Sequence, residues 1–194
     1  MTDLPDPSVR SEPYVPSDPH GRPEPGSDGQ IYTSQRIADR LAIQDLATAY
    51  AHAVDDRDWP RWQALFLPEA HIDYTSAGGI EGTAVEVAAW MPEALSIFEF
   101  CMHTTATHEI RFTGDDTATG RVHVLNRNGV TWEGAAEIVD VSAVYNDTYL
   151  RVGNSWRIAS RVEHTKCITG AAFAAIVREA AAATSKVDRT PPFG

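Results

Sequence analysis

The residues best suited to chemistry are Asp55 and His103. The run Tyr50-Ala-His-Ala-Val-Asp55-Asp-Arg-Asp-Trp59, continuing to Trp62, reads as a helix ending in a carboxylate, with a second helix starting at once. His103 opens a candidate strand further on. An acid at a helix end and an imidazole on a facing strand can share a hydrogen bond. Because imidazole is both basic and largely neutral near pH 7, such a pair can move protons. A carboxylate gains nothing from the negative end of a helix dipole, so Asp55 invites another explanation. The plainer reading makes Asp55, Asp56 and Asp58 a solvated turn, with Asp58 capping the next helix. If Asp55 and His103 meet inside a pocket the chain is an enzyme; if they do not, little else in the sequence is catalytic.

Positioning that pair requires helices first and a sheet afterwards. Ser34 is the expected N-cap of a helix running to about Val54, with Ile43, Leu46, Tyr50 and Val54 on one stripe. Asp58 caps a short helix whose first turn holds Pro60, and Trp62, Leu65 and Phe66 face inward. Leu67-Pro68 stops it, and His71 to Tyr74 is a brief strand. Thr83-Ala-Val-Glu86 has capping-box spacing and opens a helix that Pro92 kinks or divides. From Cys101 the periodicity switches to two, giving strands over 101–113, 117–127, 131–149 and 155–167. Gly114-Asp115-Asp116, Asn128-Gly129 and Gly153-Asn154 are the expected turns. Helices followed by an antiparallel meander predict an α+β fold with the helices packed on one curved sheet.

The expected domain covers residues 31–168. Residues 1–30 hold seven of the twelve prolines and few large aliphatics, which predicts a flexible arm. Residues 169–194 are expected to form a C-terminal helix, from about Gly170 to Ala183, and a loose tail. The formal net charge of -11 argues against nucleic acid and anionic membrane as partners. No apolar run reaches the ~18 residues of a membrane span, and no secretory signal pattern opens the chain, so a cytoplasmic protein is expected.

Alternative chemistries lack their motifs. There is no His-Glu-x-x-His, no Cys-x-x-Cys, no calcium loop, no phosphate loop and no nucleophile elbow. Cys101 and Cys167 read as buried free thiols. Adjacent strand residues such as His108-Glu109 and Glu163-His164 point to opposite faces and chelate poorly. On β alternation His103 shares a face with Thr105, Thr107, Glu109 and Arg111. Acid–base chemistry without metal or other cofactor remains. Trp62, Trp90, Met91, Leu95, Phe98, Phe100, Met102 and Trp132 suit either an apolar pocket or ordinary core.

The run Tyr50-x-x-x-x-Asp55-x-x-Asp58-Trp59, then Leu65-Phe66, Ile72-Asp73-Tyr74 and Met102-His103, resembles the SnoaL-like branch of the nuclear transport factor 2-like superfamily. So does Tyr145-x-Asp147-x-Tyr149-x-Arg151-x-x-Gly153-x-x-Trp156-Arg157-Ile158. The resemblance implies a cone-shaped, cystatin-like α+β barrel around a deep apolar pocket. It points towards scytalone dehydratase, the bile-acid dehydratases and the lindane dehydrochlorinase. In those enzymes an aspartate at the end of the first long helix pairs with a histidine on the first strand of the main sheet, and the resemblance puts Asp55 and His103 at those positions. Tyr50 matches a bile-acid-type tyrosine and Tyr74 a scytalone-dehydratase tyrosine. Val54 stands where scytalone dehydratase has its other tyrosine. Asn126 and Asn128 stand near a further Asp or His, where an amide binds a carbonyl oxygen but supplies no proton. Trp62, Trp90, Phe98, Met102, Asn128 and Tyr145 are the expected substrate contacts.

The implied function is a cofactor-independent lyase of dehydratase type, acting on a hydrophobic hydroxy-carbonyl compound such as a polyketide, steroid or aromatic. The same pocket also suits an isomerase, a cyclase, a non-catalytic binding protein, or an assembly subunit like the β chains of ring-hydroxylating dioxygenases. The family's habits imply a homodimer or homotrimer.

Overall fold

The computed structural model describes residues 33–171. The first helix, α1 (Ser34–Asp55), is capped by Thr33 rather than by Ser34: the Thr33 backbone is extended and its hydroxyl accepts the Arg36 N–H at 3.1 Å. Ile43, Leu46, Tyr50 and Val54 are all buried on one stripe, as the spacing predicts. Near its start α1 is pinned to the sheet through Asp39. That carboxylate meets Arg151 at 2.6 Å and accepts from Gln35 at 2.9 Å and Trp156 at 3.3 Å. Burial opposes the Asp39 charge, but these partners hold its carboxyl below the ordinary range.

The helix ends in a Schellman motif. Arg57 takes the left-handed conformation (φ 56), its N–H bonds to Val54 O, and Asp58 N–H bonds to Ala53 O. Asp58 then caps α2 (Trp59–Ala64) by accepting the Arg61 N–H at 3.0 Å. Strand β1 (Phe66–Asp73) starts earlier than His71. Pro68 falls within it, at the interruption of its pairing with β6 (Ser155–Thr169), where no N–H is needed. A 3-10 turn (Thr75–Ala77) and β2 (Glu81–Thr83) lead to α3 (Ala84–Ala94), whose capping box between Thr83 and Glu86 is complete. The helix continues through Pro92 to Ala94 instead of dividing there.

Strands β3 (Phe100–Phe112), β4 (Thr117–Trp132) and β5 (Ala135–Val152) precede β6, and the sheet order is β2-β1-β6-β5-β4-β3. All pairings are antiparallel except β1 with β6, which is parallel, so the sheet is mixed. It is curved but open, with β2 and β3 at its edges. The expected turns at 114–116 and 153–154 are present. Asn128-Gly129 is not a turn: both residues pair on both sides within β4, and the reversal is at Glu133-Gly134, both with positive φ. Bulges occur in β3 between Thr105 and His108, and in β6 opposite the Ser142/Ala143 and Thr148/Tyr149 steps. Each bulge shifts which side chains face inward.

The core lies between the helices and the inner sheet face, around Ile43, Val54, Trp62, Ile72, Val122 and Ile158. Among the described residues no helix is long and apolar enough to cross a membrane. The arm expected over 1–30 lies outside the described residues, as does the expected final helix beyond Ala171.

Candidate active site

Asp55 is the last residue of α1, and His103 sits near the start of β3. The Asp55 carboxylate accepts the His103 backbone N–H at 2.9 and 3.1 Å, and its Oδ1 lies 2.6 Å from the ring Nδ1. An ionised carboxylate only accepts, so Nδ1 carries the proton and the neutral ring keeps its lone pair on Nε2. The pair is largely dry: the His103 side chain is 5% exposed and that of Asp55 19%. The end of α1 is further tied to the segment after α3, because the Arg57 guanidinium donates to Leu95 O and Phe98 O.

His103 lines a cavity of about 450 Å³ between α1, α3 and the inner sheet face. Tyr50 and Tyr74 line it too, their hydroxyls 3.0 Å apart. The Tyr50 ring is edge-on to both His103 and Tyr145. Burial holds the Tyr74 and Tyr145 phenols well above their ordinary range, so both remain protonated donors. Asn126 and Asn128 line the cavity from β4, and the buried Oδ1 of each lacks a hydrogen-bond partner. The Asn128 amide nitrogen donates to Val139 O at 3.3 Å.

Of the expected apolar contacts, Trp90, Met91, Leu95 and Phe98 line the cavity, and Tyr145 closes one side. Trp62 does not: it is fully buried in the core, 4.5 Å between ring centroids from Phe66. Met102 does not either. As the strand neighbour of His103 it points to the opposite face and is 50% exposed. Phe100 shares that outward parity, and Trp132 packs in a smaller cluster with Val130, Val139 and Phe98. Cys167 is exposed rather than buried.

The β3 bulge also changes which residues accompany His103. Thr105 pairs with Val124 but His108 with Val122, so beyond the bulge His108, Ile110 and Phe112 face inward, while Glu109 and Arg111 face out. His108 Nε2 lies 3.1 Å from the Tyr149 hydroxyl, which donates to Asp147 Oδ2 at 2.8 Å. Burial lowers the His108 pKa to about 4, so it is neutral and gives its Nε2–H to the phenol oxygen. Asp147 accepts two bonds from Arg161, at 2.8 and 2.7 Å. The Arg161 guanidinium is sandwiched 4.2 Å from the Tyr50 ring and 4.2 Å from the Tyr145 ring.

This ion pair, and Glu163 in the cavity wall, escaped the sequence reading. Strict alternation from Trp156 and Ile158 would turn Ser160 and Val162 inward. The bulge at Ala159 turns Arg161 and Glu163 inward instead. Glu163 is 8% exposed, and burial raises its pKa to about 7. A second depression of about 530 Å³, between Arg111, Arg121 and Thr148, is more open and lies away from the Asp55–His103 pair.

A curved mixed sheet closed by helices over such a pair defines a class, and comparison with known proteins identifies it. The chain belongs to the SnoaL-like domain family, whose model matches residues 35–162, within the nuclear transport factor 2-like superfamily. It is 33% identical over 140 residues to an uncharacterized protein of Mycobacterium tuberculosis, covering 72% of this chain and 93% of that one. It is 27% identical over 134 residues to the gamma-hexachlorocyclohexane dehydrochlorinase of Sphingobium indicum, covering 69% of this chain and 85% of that enzyme. A crystal structure of a type 2 hexachlorocyclohexane dehydrochlorinase superposes with a TM-score of 0.64 at 24% identity, over 71% of this chain and 91% of that one. A scytalone dehydratase-like protein of Novosphingobium aromaticivorans gives 0.62 at 20% identity, over 70% and 89%. These two structural likenesses establish the shared fold.

Proposed function

We propose that the chain is a cofactor-independent lyase that eliminates water from a hydrophobic hydroxy-carbonyl compound. The observation that carries this reading is the 2.6 Å contact of Asp55 Oδ1 with His103 Nδ1 at the wall of a mainly apolar cavity. In that arrangement Nε2 is the base. It removes the proton from the carbon beside the substrate carbonyl, and the C–H electron pair moves to the carbonyl oxygen as an enolate. Asp55 orients the ring and stabilises the imidazolium. The Tyr50–Tyr74 pair donates a phenolic hydrogen bond to the enolate oxygen, and one such preorganised donor is worth roughly 3 kcal/mol. Asn126 contributes an amide beside it. The enolate then collapses, expelling the β-hydroxyl, which leaves as water with the imidazolium proton. No covalent intermediate is required.

The pair itself does not select the leaving group. The Sphingobium relative is by name a dehydrochlorinase, so loss of chloride from the same carbanion-like state is the neighbouring outcome. Isomerisation or cyclisation would follow if the enolate were reprotonated elsewhere or attacked an internal carbonyl.

The test is solvent deuterium exchange at the α-carbon, with water loss followed by mass spectrometry, across a panel of lipophilic β-hydroxy ketones. Exchange and elimination are expected in the wild-type protein. Either Asp55→Asn or His103→Gln should reduce them by on the order of 10⁴-fold. The double variant should be no worse than either single one, because the two side chains act as a unit. Wild-type exchange rates in the single variants would overturn the reading.

A further inference from the structure

The chemistry above uses α1, β3 and the Tyr50–Tyr74 pair, and leaves the β6 wall unexplained. Glu163 sits there, in direct line with the cavity. Its Oε1 accepts one long bond, 3.4 Å, from Thr165 Oγ1, and among the described residues no cation forms an ion pair with it. Arg161, two residues earlier, is committed to Asp147 through two bonds. A carboxyl in a mostly apolar wall with one weak partner costs the fold stability. The titratable groups that act on it are Asp73 and Tyr74 from β1 and its end, Tyr145 from β5 and Arg161 on β6. Burial, chiefly, and Asp73 raise its pKa; Thr165 and Arg161 lower it; the balance leaves it at about 7. Near neutrality this wall therefore offers a carboxylic acid that can donate a hydrogen bond.

The sheet register places this acid on the flank opposite the dyad. His103 pairs with Asn126, Asn126 with Val141, and Glu163 with Tyr145, four residues further along β5. Three strand spacings separate β3 from β6, roughly 14 Å along the sheet. Between the two flanks the wall carries Val124, Val141 and Ala143, with Asn126 beside His103 and the Tyr145 ring beside Glu163.

We propose that Glu163 is the cavity's second polar anchor, donating to a carbonyl, ether or hydroxyl oxygen at the end of the ligand remote from Asp55 and His103. The ligand class is then a hydrophobic molecule with an oxygen function at each end and hydrocarbon between. This rests on the cavity being the ligand site, as the proposed function requires.

Two uncharged probes test it by isothermal titration calorimetry: 2,6-diacetylnaphthalene, symmetric with an oxygen at each end, and 2-acetylnaphthalene, with one. The wild-type protein should bind the diketone about fivefold tighter than the monoketone at pH 6, the worth of one buried hydrogen bond. That ratio should fall to one or below by pH 8.5, as the acid ionises. Glu163→Gln keeps a donor and should hold the ratio at both pH values, whereas Glu163→Leu should abolish it. Melting curves of both variants check that they are folded. A ratio independent of pH in the wild type, or unaffected by Glu163→Leu, overturns the anchor and leaves the cavity reading standing. Failure of both probes to bind the wild-type protein overturns the cavity reading and the anchor together.

Discussion

Replacing Asp147 by Asn tests the electrostatic frame beneath the site. The side chains of Asp147 and Arg161 are 0% and 1% exposed, and the carboxylate accepts two guanidinium bonds and the Tyr149 hydroxyl. Asparagine keeps the shape but removes the charge, leaving the Arg161 cation buried without its counterion. One Arg161 nitrogen, Nη1, already lacks a partner. Breaking a buried pair from one side costs about 3–5 kcal/mol. At roughly 2–4 °C per kcal/mol for a chain of this size, Tm should fall by roughly 6–20 °C. Urea unfolding should show the same loss with an unchanged m-value. The double replacement Asp147→Leu with Arg161→Met removes both desolvation penalties and should recover most of the loss. A single variant costing under about 1 kcal/mol, or a double variant as unstable as the single, would refute the reasoning.

Further outcomes concern Glu163, Gly120 and the thiols. The folded chain holds the Glu163 proton up to about 7 against an ordinary 4.5, so its contribution to stability falls as pH rises through that interval and is flat above it. Glu163→Gln removes this slope: relative to wild type it should gain on the order of 3 kcal/mol at pH 8 and almost nothing at pH 4.5. An unchanged slope in urea titrations across that range would contradict it. His108, lowered to about 4, acts in the opposite sense between about 4 and 6.5, so the comparison is between the two proteins at each pH. Gly120→Ala would set a Cβ 2.6 Å from a Tyr149 ring carbon and 3.1 Å from His108 Nε2, costing about 1–3 kcal/mol by thermal melting. Burial raises the Cys101 thiol to about 11 while Cys167 is exposed. A thiol reagent at pH 8 should label Cys167 quickly and Cys101 only on unfolding; two equally fast thiols would contradict that.

The start signals of α2 and α3 were legible because they act locally, while the cap of α1 fell one residue before the expected Ser34. Asp58 caps α2 and Thr83 with Glu86 caps α3 through bonds that span three residues. The meander was legible from its two-residue period and its glycine turns. Facing was not. Alternation carries parity only until a bulge, and three bulges separate the sequence pattern from the inner wall; they hid Glu163, Arg161 and the true neighbours of His103. Gly129 misled for a different reason. Its missing side chain makes room for the Phe100 ring, not for a turn, and the turn residue that does carry positive φ is Glu133, an atypical choice. Trp62 and Trp90 look alike in sequence, but only the second borders the cavity. The placement of Asp55 against His103 came from the family resemblance, since no local rule joins a helix end to a strand so remote in sequence.

The most direct test of the account is the protonation pattern of the His103 ring, read by ¹⁵N NMR of protein labelled at histidine, across pH 5–9 and with no substrate present. Donation to Asp55 predicts that neutral His103 is the Nδ1–H tautomer with Nε2 unprotonated, and that Asp55→Asn shifts the tautomer balance towards Nε2–H. A neutral ring protonated at Nε2 in the wild-type protein, or a tautomer indifferent to Asp55→Asn, would contradict the account by leaving no basic Nε2.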